Sequence, residues 1–189
     1  MRKNFPNLLT ISRVAVIPVI ILTFFVPFDF ARWCATILFL YACLTDFLDG
    51  YLARKWNITS SFGRFLDPVA DKLLVCSTLM MLVGKGMIGG ASLIMATIIL
   101  CREILVSGLR EFLAELNVGV PVSWLAKWKT ALQMTAIGCL LISNAEPWIP
   151  EAVWKGIGTS ALWIAALLTL YTGFDYLKAA SKQVGPFWH

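Results

Sequence analysis

Charge is scarce in this sequence. Of its 189 residues only 14% are Asp, Glu, Lys or Arg, whereas 59% are hydrophobic, and the mean hydropathy is +0.77. Soluble domains carry roughly 45–50% apolar residues, so a soluble monomer is excluded, as are disordered and fibrous chains. Sixteen Lys and Arg against eleven Asp and Glu give a net charge of +5, too thinly spread for a nucleic-acid-binding surface. No nucleic-acid partner is expected. Histidine is nearly missing: His189 stands alone at the end, which removes Ser-His-Asp and Cys-His catalysis and histidine-based metal sites. Cys34, Cys43, Cys76, Cys101 and Cys139 lie singly in separate apolar stretches with no CxxC pair and read as small core residues. Carboxylates, Lys, Arg and hydroxyls remain to carry any chemistry.

Apolar runs of membrane-spanning length are plentiful. A hydrocarbon core about 30 Å thick needs about 20 mostly apolar residues per helix, and six such runs lie between polar or Gly/Pro punctuation, at 8–26, 32–56, 61–83, 91–116, 124–143 and 152–179. The predicted fold class is all-α: one polytopic, membrane-embedded catalytic domain of six transmembrane helices over residues 1–189. Met1-Arg2-Lys3-Asn4 before an apolar run imitates a signal peptide, but no small-x-small cleavage site follows, so the run is expected to be the first helix. Arg2, Lys3, Arg54, Lys55, Arg64, Arg110, Lys127, Lys129, Lys178 and Lys182 fall at one set of helix ends, and only Arg32, Lys85 and Lys155 at the other. Ten against three places both termini on the cytoplasmic side.

Ionisable groups inside membrane spans are costly and by default functional. Four carboxylates, Asp46, Asp49, Asp67 and Asp71, crowd into one 26-residue window. At about 1.5 Å per residue the two pairs reach similar depth on successive helices, in the cytoplasmic half. The i,i+3 and i,i+4 spacings put each pair on one helix face, so two facing pairs predict one acidic pocket. Four like charges in a low dielectric cannot all stay ionised unaided; either some are protonated or cations sit among them. All-oxygen ligands favour a hard cation, Mg²⁺ or Mn²⁺. Gly50, Ala53 and Gly63 lie on the same faces and leave room for a ligand near the backbone, or simply for close helix packing. Pro68 removes a backbone hydrogen bond beside Asp67 and is expected to kink its helix. A metal pair in such a cage suits a substrate with a diphosphate head and a lipid tail.

The pattern Asp46-x-x-Asp49-Gly50-x-x-Ala53-Arg54, eight residues, then Gly63-x-x-x-Asp67-x-x-x-Asp71 resembles the signature of the CDP-alcohol phosphotransferase family at all eight fixed positions. The resemblance implies that an alcohol hydroxyl attacks the β-phosphorus of a CDP-linked substrate and CMP leaves. It implies that Asp46, Asp49, Asp67 and Asp71 are metal ligands, with Asp71 also the general base. Gly50, Ala53 and Gly63 would receive the cytidine nucleotide beside Asp46 and Asp49, and Arg54 would neutralise phosphate charge or help to hold the nucleotide.

Further segments narrow the acceptor. Pro6-Asn7-Leu8-Leu9-Thr10-Ile11-Ser12-Arg13, Arg102-Glu103-Ile104, Gly108-Leu109-Arg110-Glu111 and Val122 to Thr130 resemble the bacterial members of that family whose acceptor is glycerol 3-phosphate. Their likeness covers almost the whole chain and implies CDP-diacylglycerol and sn-glycerol 3-phosphate as substrates, a homodimer, and residence in the bacterial inner membrane with the site facing the cytoplasm. An anionic acceptor needs cations, and Arg102, Arg110, Lys127 and Lys129 are the candidates. Arg102 lies within a span and must have a partner there; Glu103 points about 100° away on an ideal helix, so that partner is expected on another helix or on the substrate. Two other readings stay open. A different acceptor (serine, inositol phosphate or phosphatidylglycerol) would keep the fold and the chemistry, and a divalent-cation transporter would need polar residues through the full bilayer depth.

Overall fold

The computed structural model describes residues 5–27, 29–56, 61–116, 124–143, 145 and 150–184. Six helices occupy them: α1 (Phe5–Thr23), α2 (Asp29–Trp56), α3 (Ser61–Gly84), α4 (Ala91–Glu115), α5 (Trp124–Ile142) and α6 (Glu151–Val184). No strand occurs among the described residues. The all-α expectation holds, and the six helices overlie the six expected runs with differences at their ends: α1 stops at Thr23, short of 26, and α6 runs on past 179 to Val184, because hydropathy registers the lipid-crossing part of a helix and not its full length. The 34 residues of α6 make a rod of about 51 Å, longer than a hydrocarbon core is thick. The expected Asn117 to Ser123 loop and the tail beyond Val184 lie outside the described residues.

Phe30–Leu52, Ala91–Glu115 and Glu151–Ser181 are long and apolar enough to cross a membrane unaided, and Leu8–Thr23 is a shorter apolar helix. This is a membrane protein. α3, which holds Asp67, Asp71 and Lys72, and α5, whose 19 residues include Lys127 and Lys129, are not among those long apolar helices. They depend on their neighbours to cover those groups.

Between α3 and α4 the chain reverses on glycines. Gly86 and Gly90 adopt φ of 72° and 56°, values that β-carbon sterics deny most residues. The backbone N–H groups of Met87 and Ile88 reach back to the Leu82 carbonyl at 2.9 and 3.3 Å and close the end of α3. Pro68 leaves α3 one continuous element, and Lys72 Nζ donates to the Pro68 carbonyl at 2.9 Å.

Packing divides the bundle in two. α1 lies against both α2 and α3, which barely meet each other, while α6 packs on α4 and α5. The core contains Ile20, Phe39, Leu79, Leu82, Ile99, Ile137, Leu140 and Leu162, while Leu22, Phe30, Leu44, Phe47, Met80, Ile94, Leu167 and Phe174 face outward. Large apolar residues on both sides suit a lipid solvent. The α5–α6 contact is close at Gly158, where a β-carbon would stand 2.8 Å from Leu140 Cγ and 3.2 Å from the Ala136 carbonyl oxygen. Gly158→Ala should therefore cost about 1–3 kcal/mol through overpacking, read as a lower thermal midpoint in detergent. An unchanged midpoint would mean that Leu140 yields freely.

Candidate active site

The four motif carboxylates sit at one end of the bundle, and α1 ties three of them together. Arg13 is fully buried; Nη1 donates to Asp46 Oδ1 at 2.6 Å, and Nη2 donates to Asp49 Oδ2. Thr10, three residues earlier and so on the same face of α1, donates to Asp67 Oδ1 at 2.5 Å, with Asp49 Oδ2 3.4 Å away. One helix face thereby bridges α2 and α3. A guanidinium shared by two carboxylates offsets the repulsion that the spacing implied.

Asp46, Asp67 and Asp71 line one cavity of about 710 Å³. Asp49 does not: it is buried behind them against Arg13, so the expected pocket of two complete pairs becomes three carboxylates in the wall and one in support. Asp71 has no hydrogen-bond or ion-pair partner among the described residues. Gly63 on α3 is buried and Gly50 on α2 half-buried. The side chains of Ala53 and Arg54 lie outside the described residues.

The same cavity is also lined by cations. Arg102, Arg110, Lys127 and Lys129 all line the same cavity, together with Glu103 and with Thr172, Asp175 and Tyr176 of α6. Arg102 Nη2 donates to Thr172 Oγ1 at 3.0 Å, the interhelical partner that the sequence required. Arg102 Nη1 also lies 3.6 Å from Glu103 Oε1, contrary to the expectation that Glu103 points away. Two long side chains can reach around the helix where their Cα–Cβ directions diverge. Lys129 is buried and donates to the same Glu103 oxygen, and the Arg110 guanidinium lies 5.9 Å from the centre of the Tyr176 ring, within cation–π range.

Moving away from the site along each helix, the buried residues are mostly apolar (Ile17 and Ile20, Phe39 and Ala35, Leu79 and Leu82, Ile99 and Ala96, Ile137 and Leu140, Ala165 and Leu162), with Thr36, Thr78, Gln133 and Thr169 buried among them. Among the described residues no charged one is buried with them. At the far end Arg32 and Lys85, two of the three cations that the sequence assigned to the opposite side, line a separate cavity of about 280 Å³.

The donor set fits a hard divalent cation in its chemistry, being four carboxylates on two helices at one end of the bundle. Among the described residues no three acidic, Cys or His side chains converge as they would around an ion, because Arg13 and Thr10 hold three of the four. Arg13 and Thr10 are the residues that sequence reasoning quoted without a role. The signal was present: an arginine within an apolar helix calls for a buried partner, the same argument applied to Arg102. Thr172 and Asp175 were missed because nothing in their spacing links α6 to α4, and Glu103 was set aside on its helical direction.

A profile of the CDP-alcohol phosphatidyltransferase family matches residues 3–171. Proteins named CDP-diacylglycerol–glycerol-3-phosphate 3-phosphatidyltransferase are similar along nearly their whole length. The one from Rickettsia bellii is 51% identical over 180 residues, 95% of this chain and 97% of its own. Those from Pectobacterium atrosepticum and Shigella flexneri are 45% and 41% identical over 186 residues, 97% of this chain and 98% of theirs. With its acidic motif gathered at one end of six helices and with these relatives, the chain belongs to the CDP-alcohol phosphatidyltransferase family.

Proposed function

We propose that this protein has phosphatidylglycerophosphate synthase activity, transferring the phosphatidyl group of CDP-diacylglycerol to sn-glycerol 3-phosphate and releasing CMP. One observation carries the reading: carboxylates of α2 and α3 and the cations of α4 and α5 line a single cavity. An acidic wall suits a metal-bound diphosphate, and a basic wall suits a phosphorylated acceptor. The acyl chains remain in the bilayer.

Asp46, Asp49, Asp67 and Asp71 would hold Mg²⁺ or Mn²⁺, as a pair of ions. The metal supplies charge neutralisation for the diphosphate as its phosphoanhydride bond breaks. Gly50, Ala53 and Gly63 leave space for the cytidine nucleotide, with Arg54 beside them. Arg102, Arg110, Lys127 and Lys129 bind the acceptor phosphate and so direct its free hydroxyl towards the β-phosphorus. Asp71 takes the hydroxyl proton as the new P–O bond forms, and the electron pair of the broken bond leaves on CMP. The site faces the cytoplasm of a bacterial inner membrane, with both termini on that side; the charge asymmetry of the helix ends supports this. A homodimeric state rests on the family resemblance alone.

Two measurements test the reading. CMP release by detergent-purified protein with CDP-diacylglycerol is expected with glycerol 3-phosphate and not with serine, inositol phosphate or phosphatidylglycerol; release with another acceptor would discard the assignment of the basic wall. Arg110→Glu should raise the KM for glycerol 3-phosphate about tenfold or more, because it reverses a charge facing an anion, and should change the KM for the lipid far less. An unchanged acceptor KM would remove Arg110 from the pocket.

A further inference from the structure

The α6 wall of the cavity makes contacts that the acidic motif does not reach. Arg102 leaves α4 and lies across the backbone of α6. A β-carbon on Gly173 would stand 3.1 Å from Arg102 Cγ and 3.2 Å from its Nε. Gly173 is buried, so the arginine follows this path because the position carries no side chain. Thr172 fixes its direction. The threonine hydroxyl donates to the Leu168 carbonyl at 2.8 Å within α6, which spends its only proton and leaves a lone pair for the Arg102 guanidinium at 3.0 Å. Arg102 Nε is buried with no hydrogen-bond partner among the described residues. On the other side Glu103 holds Lys129 and flanks Arg102 at 3.6 Å.

We propose that Thr172 and Gly173 are positioning residues that set Arg102 against the phosphate of the acceptor, which makes α6 a determinant of acceptor affinity. The inference rests on the reading of the cavity as a glycerol 3-phosphate site. Arginine gives up rotamer freedom when it engages a phosphate, and a track that already confines it removes much of that loss before the acceptor arrives. Thr172 and Gly173 act through Arg102, so their effect falls on acceptor binding and not on the lipid donor.

The test is steady-state CMP release by the full-length protein in detergent, with both substrates varied, for the wild type, Gly173→Ala, Thr172→Val and Thr172→Ser. Gly173→Ala and Thr172→Val should each raise the acceptor KM on the order of tenfold, while the donor KM stays within about twofold. Thr172→Ser keeps the hydroxyl and should restore an acceptor KM near the wild-type value. Should Gly173→Ala fail to fold, Thr172→Val, close to threonine in shape, carries the test. Unchanged acceptor KM in the folded variants, or donor and acceptor KM rising together as for a general packing defect, would overturn the inference while leaving the proposed activity in place. Wild-type protein that releases no CMP with glycerol 3-phosphate would overturn the parent reading and this one with it.

Discussion

Asp71→Asn is expected to lower turnover by about 10²- to 10⁴-fold, the range associated with loss of a general base, in a protein that still folds. Asp71 lines the cavity and has no hydrogen-bond or ion-pair partner among the described residues. The other three carboxylates are already engaged, Asp46 and Asp49 by Arg13 and Asp67 by Thr10. Replacing Asp71 with its near-isosteric amide therefore breaks no visible contact, yet removes the oxygen that could accept the acceptor's proton. The kcat for CMP release and the thermal midpoint, measured on one preparation, separate lost chemistry from lost structure. Near-wild-type turnover would take the base assignment away from Asp71.

Arg13→Met should act in the opposite way, through stability first. Arg13 is fully buried, and the Asp49 side chain is only 6% exposed. Removing one partner of a buried ion pair leaves an uncompensated charge and costs about 3–5 kcal/mol. Most of that falls on Asp49, because the Asp46 side chain is 43% exposed and water can share its load. Methionine fills similar space with apolar atoms, so the loss reports charge more than volume. Thermal unfolding in detergent with EDTA should show a large drop in midpoint, and Mg²⁺ should recover part of it by binding the folded state alone. A cost below about 1 kcal/mol would mean that the carboxylates find another counter-charge or protonate without penalty.

The sequence revealed the acidic wall more completely than the basic one, for a physical reason. Asp46 and Asp49 share one helix face, as do Asp67 and Asp71, so their helical spacing made the constellation visible before any tertiary contact was known. Helix lengths were legible too, because the bilayer imposes a length. Arg13 lies 33 and 36 residues from the carboxylates it holds, and spacing carries no information at that range. Its buried charge could have flagged it. The retraction of Asp49 from the cavity follows from the same contact. The Arg102–Thr172 bond joins residues 70 apart, and the need for glycine at 173 arises only when a side chain from α4 crosses it. Glu103 was set aside on helical direction alone, which fixes Cβ but leaves a long side chain free to turn back.

Conversion of CDP-diacylglycerol and glycerol 3-phosphate by purified protein, followed by mass spectrometry of the lipid product and quantitation of CMP, tests most directly whether the two walls of the cavity act as one site. Phosphatidylglycerophosphate should form in equal amount to the CMP released, with both lost on adding EDTA and restored by Mg²⁺ or Mn²⁺. CMP release without that lipid, or synthesis undiminished by thorough metal removal, would contradict it.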